Sequence, residues 1–188
     1  MLDNCYSIQY YIVMEIETDR IILRAPNKAD HPLFIGLCMD PKVTEHFEYI
    51  KRDSEEKVLE FLMGMVKGME GELTSLHYVI IEKDQNRSIG FIGIGDPEEE
   101  VASLPDRKVM NFGYAILPKY WGFGYATEAL SLVIKKCFAT FPNIELIHGE
   151  CDADNIGSIK VMEKAGMKRF NQYKDKDGSV TIEFMIEQ

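Results

Sequence analysis

Hydrophobic positions along the chain follow two different periods, and their order predicts a mixed α/β protein. Runs rich in β-branched and aromatic residues predict strands, and they include "RIILRA", "VMNFGYAIL", "IELIHGEC" and two halves of a hairpin in "LHYVIIEKDQNRSIGFIGIGD". Two further strands flank the polar turn "KDKDG" near the C-terminus. Segments with a helical period separate these runs, so the predicted order is β-α-α-β-β-β-α-β-α-β-β.

Capping residues mark where the predicted helices begin and end. Asn27 is placed to cap the first helix, which we expect to end at Asp40–Pro41. Ser54 is placed to cap the second helix, and Gly166 to end the last one. The longest amphipathic stripe predicts the third helix, and its members are Ala126, Ala129, Leu130, Val133, Ile134, Cys137 and Phe138.

Length and composition predict one globular domain. The chain has 188 residues, of which 46% are hydrophobic and 28% charged, and it shows no internal repeat or Gly/Ser-rich linker. The domain is expected to cover residues 15–188. Residues 1–14 precede the first predicted strand, and they are interpreted either as an N-terminal extension or as a docked edge segment.

The net charge indicates which classes of binding partner to expect, and the cysteines indicate the cellular compartment. A net charge of −10 argues against nucleic-acid binding and suits a cationic partner, although many acidic proteins have no such partner. The four cysteines form no CxxC pair, which is typical of reduced thiols in a cytoplasmic protein. No apolar run approaches the ~20 residues of a membrane-spanning helix, so no membrane association is expected.

The junction between the fourth predicted strand and the long predicted helix is a candidate functional site. In "YWGFGYATEAL", Gly122 and Gly124 lie directly before the helix, where backbone amides lack intrahelical partners and the helix dipole is positive. Such a junction favours a phosphate or pyrophosphate, or simply makes a tight turn. The segment matches neither a P-loop nor a dinucleotide-binding fingerprint.

Three segments in this chain resemble the GCN5-related N-acetyltransferase (GNAT) superfamily. "PKYWGFGYATEAL" resembles its motif A, Q/R-x-x-G-x-G/A, with Trp121 in place of the usual Gln or Arg. "ETDRIILRAPNKAD" and "DNIGSIKVMEKAGM" are similar to segments of the branch that contains the ribosomal-protein N-terminal acetyltransferases. The resemblance implies a single α/β domain of the α+β type. Its sheet is expected to be mostly antiparallel, with about seven strands, a V-shaped splay and about four flanking helices.

The resemblance also implies acetyl-CoA as cosubstrate. The pantetheine arm is expected in the slot beside the strand that ends at Ile116 and Leu117, and Asn155 is expected to bind the arm or the acetyl end. The pyrophosphate is expected on the amides of Gly122 to Ala126, with help from the Thr127 hydroxyl. Phe123 and Tyr125 are expected to pack either on the cofactor or on the protein.

The implied reaction is direct attack of an amine on the thioester, with an oxyanion held by a backbone N–H near Leu117. Two residues depart from the family pattern, because Asn111 replaces a frequent Glu and Met162 replaces a frequent Tyr. Ser158 is then the candidate general acid, or only a small packing residue. Glu150 is the candidate base, and the alternatives are Asp152, His77, His46, or positioning and solvent alone.

The expected function is therefore N-acetylation of a primary amine, as a monomer or a homodimer. The acceptor is either the N-terminal amine of a protein or peptide, or a small molecule such as a polyamine or an aminoglycoside-like compound. A non-catalytic acyl-CoA-binding sensor domain is the alternative. No metal site is predicted, because the histidines form no set with carboxylates at ligand spacing.

Overall fold

The computed structural model describes residues 15–69, 74–95 and 101–188. Eight strands lie in one sheet in the order β1-β2-β3-β4-β5-β6-β8-β7. Their bounds are β1 Ile16–Glu17, β2 Ile21–Arg24, β3 Ser75–Glu82, β4 Arg87–Gly95, β5 Val109–Ile116, β6 Leu146–Asp152, β7 Lys168–Lys174 and β8 Val180–Glu187. The described helices are α1 His31–Cys38, α2 Pro41–Thr44, α3 Glu55–Gly68, α4 Tyr125–Thr140 and α5 Ile156–Lys164.

The predicted α/β class and the order of the main elements are confirmed, with two additions. Strand β1 has only two residues, too few to show a period, and it pairs with β2 through Ile16 opposite Leu23. The short helix α2 begins where the sequence predicted an end. The Asp40 side chain accepts a hydrogen bond from the Lys42 N–H at 2.9 Å, and Pro41 fits the first helical turn.

The start of α1 also differs from its prediction. The Asn27 side chain accepts from the Ala29 N–H at 2.9 Å, but the turn that it caps is a 3₁₀ turn at Lys28–Asp30. Helix α1 itself begins at His31, with Pro32 in its first turn, where a missing N–H costs no hydrogen bond. At α3 the predicted cap is confirmed, because Ser54 Oγ accepts from the Lys57 N–H at 3.3 Å.

Contacts divide the chain into two compact units, each with its own packing. The first unit contains the described residues 15–69, 74–93 and 114–120. In this unit β2 and β3 are antiparallel, with Leu23 opposite Ile80. Its core lies between the sheet and helices α1 to α3, around Leu33, Phe34, Leu37, Val58, Leu62, Val79 and Phe91.

The second unit contains the described residues 94–95, 101–113 and 121–188. The predicted stripe of α4 is the buried face of that helix, with Ala129, Leu130, Val133, Ile134 and Cys137 all inaccessible or nearly so. Cys137 lies 3.3 Å from the sulfur of Met110, which places α4 on the face of β5 that Met110 occupies. Helix α5 ends before Gly166, whose φ of +94° is readily adopted only by glycine.

Three further predictions concern membrane crossing, the state of the thiols and the N-terminal segment. Within the ranges that the structure describes, no helix combines the length and apolarity needed to cross a bilayer. Cys38, Cys137 and Cys151 are free thiols, and the first two are buried. Residues 1–14 lie outside the described part, so the interpretation of this segment stays a prediction.

Candidate active site

The glycine junction before α4 has the backbone geometry of an anion site. Gly122 and Gly124 both lie in the left-handed region, with φ of +82° and +84°. Gly124 is the N-cap of the 16-residue helix and provides no side chain to cap it. The N–H groups of the first turn have no partner within the helix and carry its positive dipole end. This part of the chain therefore offers several backbone donors to an anion.

The positive φ angles explain why glycine occupies both positions. A Cβ built at Gly122 would have open space around it, with no atom within 4 Å. Close packing therefore does not require glycine at that position, whereas the left-handed conformation does. Trp121 and Phe123 flank Gly122 and are 49% and 62% exposed. The exposed ring of Phe123 lies 6.2 Å from the half-buried ring of Tyr125, so an aromatic pair stands beside the junction.

Asn155 and Ser158 meet at the first turn of α5. The side-chain oxygen of Asn155 accepts from the Ser158 N–H at 3.0 Å, which makes Asn155 the cap of this helix. Since the oxygen is used in the cap, the amide N–H groups of Asn155 are the part of its side chain suited to a carbonyl of a ligand. Ser158 is half-buried in the same turn. The two residues predicted from the family pattern thus share one local structure.

The end of β5 belongs to the first unit and is packed tightly. Ile116 is buried, and a Cβ at Gly90 would lie 2.3 Å from the Ala115 carbonyl oxygen. The Leu117 N–H donates to the Ile89 carbonyl at 2.8 Å. The amide of Leu117 therefore already has a partner on β4. An oxyanion donor from this strand has to be an amide that points away from β4.

Strands β5 and β6 pair in parallel over three positions only. The pairs are Val109–Leu146, Met110–Ile147 and Asn111–His148. Immediately after the last pair, the ring of Phe112 lies over Gly149, where a Cβ would come within 2.3 Å of the ring. Glycine at position 149 leaves room for this ring. The pairs between β5 and β6 end at Asn111 and His148, so the strands of the second unit part after them.

A buried polar cluster lies at this last pair. His148 is 3% exposed and has its Nδ1 3.0 Å from Asn111 Oδ1 and its Nε2 3.1 Å from Glu183 Oε1. Glu183, also 3% exposed, accepts hydrogen bonds from the Ser103 hydroxyl at 2.6 Å and from the Asn171 amide. Burial lowers the pKa of His148, and the carboxylates of Glu150 and Glu183 oppose this effect.

Glu150, the predicted base, lies on the same face of the sheet as this cluster. Its side chain is exposed and accepts from the Tyr173 hydroxyl at 2.9 Å. Burial and the Glu150 carboxylate both raise the pKa of Tyr173, so this phenol stays protonated. His148, Glu150 and Glu183 each offer one atom that could ligate a metal, and these atoms lie within 4.8 Å of one another. That spacing would suit a cation, but Nε2 of His148 is used in the hydrogen bond to Glu183, and the absence of a metal stays a prediction.

The other predicted bases lie in different surroundings. His46 and His77 belong to the first unit, whereas Asp152 is half-buried at the end of β6. Burial lowers the pKa of His77, whose Nδ1 has no hydrogen-bond partner among the described residues. Burial, followed by the carboxylate of Asp152, raises the pKa of Cys151 to about 11. Cys151 is therefore a protonated thiol at neutral pH and is unsuited to act as a nucleophile.

Sequence reasoning did not select His148, Glu183 or Ser103. Their polar side chains interrupt apolar runs, as in "LIHGEC" and "TIEFMI", and this is the signal that could have identified them. A polar residue at a core-facing strand position usually has a hydrogen-bond partner. The sequence gives no means of pairing such residues, because the members of this cluster come from four strands and a loop.

Comparisons with known proteins agree on one protein family. Residues 20–168 match the sequence model described as acetyltransferase (GNAT) domain. The N-acetyltransferase YoaA of Bacillus subtilis strain 168 is 24% identical over 167 residues, which cover 87% of this chain and 90% of that protein. This relative has nearly the same length as the chain, so the match is not limited to a motif.

Two solved structures illustrate the likeness in fold. The ribosomal L7/L12 α-N-protein acetyltransferase RimL, in complex with coenzyme A, has a TM-score of 0.75 at 18% identity and covers 93% of this chain and 98% of its own. AAC(6′)-Ib, in complex with paromomycin and acetyl-CoA, has a TM-score of 0.71 at 16% identity, with coverage of 90% and 94%. At such identities the structures support the fold, while the sequence match assigns the family.

Proposed function

Because this chain belongs to the acetyltransferase (GNAT) family, we propose that it transfers the acetyl group of acetyl-CoA to a primary amine. The single observation that carries this proposal is the pair of left-handed glycines, Gly122 and Gly124, at the uncapped start of α4. The junction supplies backbone donors where the family pattern places the cofactor pyrophosphate. Enzymes of this family are acetyl-transferring, and the matched relative is named an N-acetyltransferase.

We assign the donor side of the reaction to two segments of the second unit. The amides from Gly122 to Ala126, with the hydroxyl of Thr127, bind the pyrophosphate of acetyl-CoA. The amide N–H groups of Asn155 bind a carbonyl of the pantetheine arm. The exposed ring of Phe123 and the half-buried ring of Tyr125 give an apolar surface beside the phosphates. The solved complexes of RimL with coenzyme A and of AAC(6′)-Ib with acetyl-CoA support the choice of cosubstrate.

We place the pantetheine arm beside β5, the strand that ends at Ile116 and Leu117. The pairing of β5 with β6 supports this placement, because it stops after Asn111 and His148. The arm can extend only as far as that pair. On the side of the pair toward Val109 and Leu146, the two strands are paired with each other. The acetyl group therefore comes to lie near the last pair.

The chemical step requires three proton movements and no redox partner. The protonated amine loses a proton, its nitrogen forms a bond to the acetyl carbonyl carbon, and the tetrahedral intermediate loses a second proton. The carbon–sulfur bond then breaks, and the thiolate of CoA takes up a proton. We assign Ser158 as the donor of that last proton, and Glu150 as a base that acts through water, because its carboxylate is exposed.

The acceptor is a primary amine of one of two kinds. The net charge of −10 favours a cationic acceptor, such as a polyamine or an aminoglycoside-like compound. The printed descriptions of the two structural relatives cover both kinds, since one names a ribosomal protein α-amine and the other a complex with paromomycin. An N-terminal amine of a protein therefore stands beside the small molecule as the substrate class.

A release assay tests this proposal. The purified chain is incubated with acetyl-CoA and a panel of amines: N-terminal peptides, polyamines and aminoglycosides. Free CoA is measured with a thiol reagent, and the acetylated product by mass spectrometry. We expect CoA release above the amine-free control for one class of amine. Calorimetry that shows acetyl-CoA binding, with no transfer to any amine in the panel, would contradict catalysis and favour the sensor interpretation.

A further inference from the structure

Glu183 is a buried carboxylate that no arginine or lysine of the described chain neutralises. Its two oxygens accept from Ser103 Oγ, from the Asn171 amide and from the ring of His148. Among the ion pairs formed by the described residues, the partner of Glu183 is His148. A carboxylate at 3% exposure is costly to bury unless a positive charge lies beside it. A proton on His148 would offset the charge of this carboxylate, while burial of the ring opposes that proton.

The ring of His148 can accept and release a proton without losing its hydrogen bonds. Glu183 offers only acceptor oxygens, so the Nε2 of His148 carries a hydrogen in both protonation states. The Nδ1 then takes up or loses the proton, and Asn111 faces it at 3.0 Å. The Asn111 oxygen accepts from the protonated ring, and its NH₂ group donates to the neutral ring after the amide rotates. An asparagine can form a hydrogen bond with both protonation states of the ring. A carboxylate would favour the protonated ring, and a lysine would favour the neutral ring.

We propose that His148 is a proton acceptor in the acetyl-transfer reaction, with Glu183 as its counter-ion and Asn111 as the residue that positions its Nδ1. This inference rests on the proposed function, because it assigns a role within that reaction. The cluster lies at the last paired position of β5 and β6, where the slot for the acetyl group would begin. Asn111 is half-buried and is the member of the cluster that borders this slot.

The proton follows a short path. A water molecule at the border with Asn111 takes the proton from the ammonium group of the acceptor. The Asn111 NH₂ group then turns away from the lone pair of Nδ1, and the water passes a proton to that nitrogen. The neutral amine then attacks the thioester carbonyl. The imidazolium that results is stabilised by the Glu183 carboxylate and returns its proton to solvent after the acetylated product leaves. His148 thus takes up the first of the two protons that the nitrogen loses, Glu150 takes up the second through water, and no electrons are exchanged.

The electrostatic surroundings of His148 come from identifiable elements. Its own strand contributes the carboxylate of Glu150, and β8 contributes that of Glu183. The neighbouring strands contribute uncharged groups, namely Asn111 on β5 and the ring edge of Phe170 on β7, 6.0 Å away. Burial lowers the pKa of His148, while both carboxylates raise it. The net effect lowers the pKa of His148, so the ring is neutral at rest, and the two carboxylates stabilise the proton that it accepts during the reaction.

A titration that needs no substrate tests the pair directly. The histidine resonances of the full chain are followed by NMR between pH 4.5 and 8.5, a range chosen to span about two units on each side of the ordinary histidine pKa. The His148 signal is assigned through His148→Gln. We expect Glu183→Gln to shift the midpoint of His148 to lower pH, because it removes the counter-ion. An unchanged midpoint in Glu183→Gln would overturn the coupling.

Kinetics then tests the role in transfer. The pH profile of kcat/KM is measured for the wild type, His148→Gln, Glu183→Gln and the control His31→Gln, whose exposed ring bonds to the Glu55 carbonyl. We expect His148→Gln to lower kcat about 100-fold and to remove the acidic limb of the profile, while Glu183→Gln shifts that limb in step with the NMR midpoint. The control should keep the wild-type profile.

Failure of this inference and failure of the proposed function give different experimental results. If wild-type protein transfers acetyl groups and His148→Gln keeps the same acidic limb, the inference is wrong while the proposed function stands. If His148→Gln does not fold, Glu183→Gln and Asn111→Ala carry the test. An acidic limb that fails to move with the NMR midpoint in both would also overturn the inference. No transfer by the wild type contradicts the proposed function itself, whatever the titration shows.

Discussion

Asn111 lies directly opposite His148 at the final pair between β5 and β6, and its side-chain oxygen is 3.0 Å from the histidine Nδ1. One residue further along each strand, the ring of Phe112 lies over Gly149. The end of the ladder thus combines a polar contact on one face with a bulky ring against glycine at the next position. Two local features, one of packing and one of hydrogen bonding, define where the strands separate.

Gly149→Ala tests the packing part of this arrangement. A Cβ at position 149 would lie 2.3 Å from the Phe112 ring, so the ring or the strand has to move. We expect the free energy of unfolding to fall by about 1–3 kcal/mol, the usual cost of overpacking a core. Urea denaturation provides the measurement.

The double variant Gly149→Ala/Phe112→Leu is the matched control. A smaller side chain at position 112 makes room for the new methyl group, so the two substitutions should be non-additive. Additive losses in the double variant would show that the ring is not what the methyl group meets.

Gly124→Ala tests the pyrophosphate site. Alanine disfavours the φ of +84° at the cap of α4, and the amides that we assign to the pyrophosphate would change direction. We expect a loss of about 1–2 kcal/mol in stability and a loss of CoA affinity of about 10-fold or more, measured by calorimetry. Gly178→Ala is the control, because Gly178 has a similar φ of +95° in the turn before β8. Equal affinity losses in both variants would mean that the effect comes from stability alone.

Substitutions at Asn155 separate its cap from its contact with the cofactor. Asn155→Ala removes the oxygen that accepts from the Ser158 N–H, and we expect a stability loss of about 1 kcal/mol together with weaker CoA binding. Asn155→Ser keeps a capping oxygen and removes the amide N–H groups. Its stability should stay near the wild type while its KM for acetyl-CoA rises. A serine variant with wild-type KM would contradict the assigned cofactor contact.

Ser158→Ala tests the proton donor to the departing thiolate. Because its side chain is only half-buried and its backbone N–H keeps the bond to Asn155, the fold should be retained. We expect kcat to fall about 100-fold with little change in CoA affinity, since general acid catalysis acts in the transition state. Ser179→Ala, in the turn where Ser179 Oγ bonds to Asp177, is the comparison variant. Equal kcat in both variants would leave Ser158 with a packing role.

Stability should fall in mild acid because of two buried histidines. Burial lowers the folded-state pKa of both His77 and His148 below the ordinary value of about 6.5. Below that pH the unfolded chain binds protons that the folded chain does not, so the free energy of unfolding decreases as the pH falls through this window. Each histidine contributes a slope of at most about 1.4 kcal/mol per pH unit. The loss ends once the pH is below the folded pKa.

Urea denaturation at several pH values between 7 and 5 measures this slope. His77→Gln and His148→Gln should each flatten it relative to the wild type, because glutamine does not titrate. A wild-type slope in both buried-site variants would show that other groups govern the acid sensitivity.

Much of the fold could be predicted from sequence because its signals are local. The stripe on α4, the Ser54 cap of α3 and the glycines before α4 each depend on residues within a few positions of one another. The signal at Asp40–Pro41 is also local: helix α1 ends before this pair, as predicted, and the unpredicted helix α2 begins at it. A proline can end one helix or begin the next, and the side-chain cap from Asp40 decides between the two.

The sequence by itself determined the order of strands and helices, the family and the glycine junction, since period, caps and motif are written in neighbouring residues. The tertiary structure alone decided that Asn111, His148 and Glu183 form one buried cluster and that the β5–β6 ladder ends there. The physical reason is that a polar residue in an apolar strand needs a partner, and no local rule says which distant strand supplies it. Sheet order and register bring those side chains together, and burial then gives their hydrogen bonds and charges their strength.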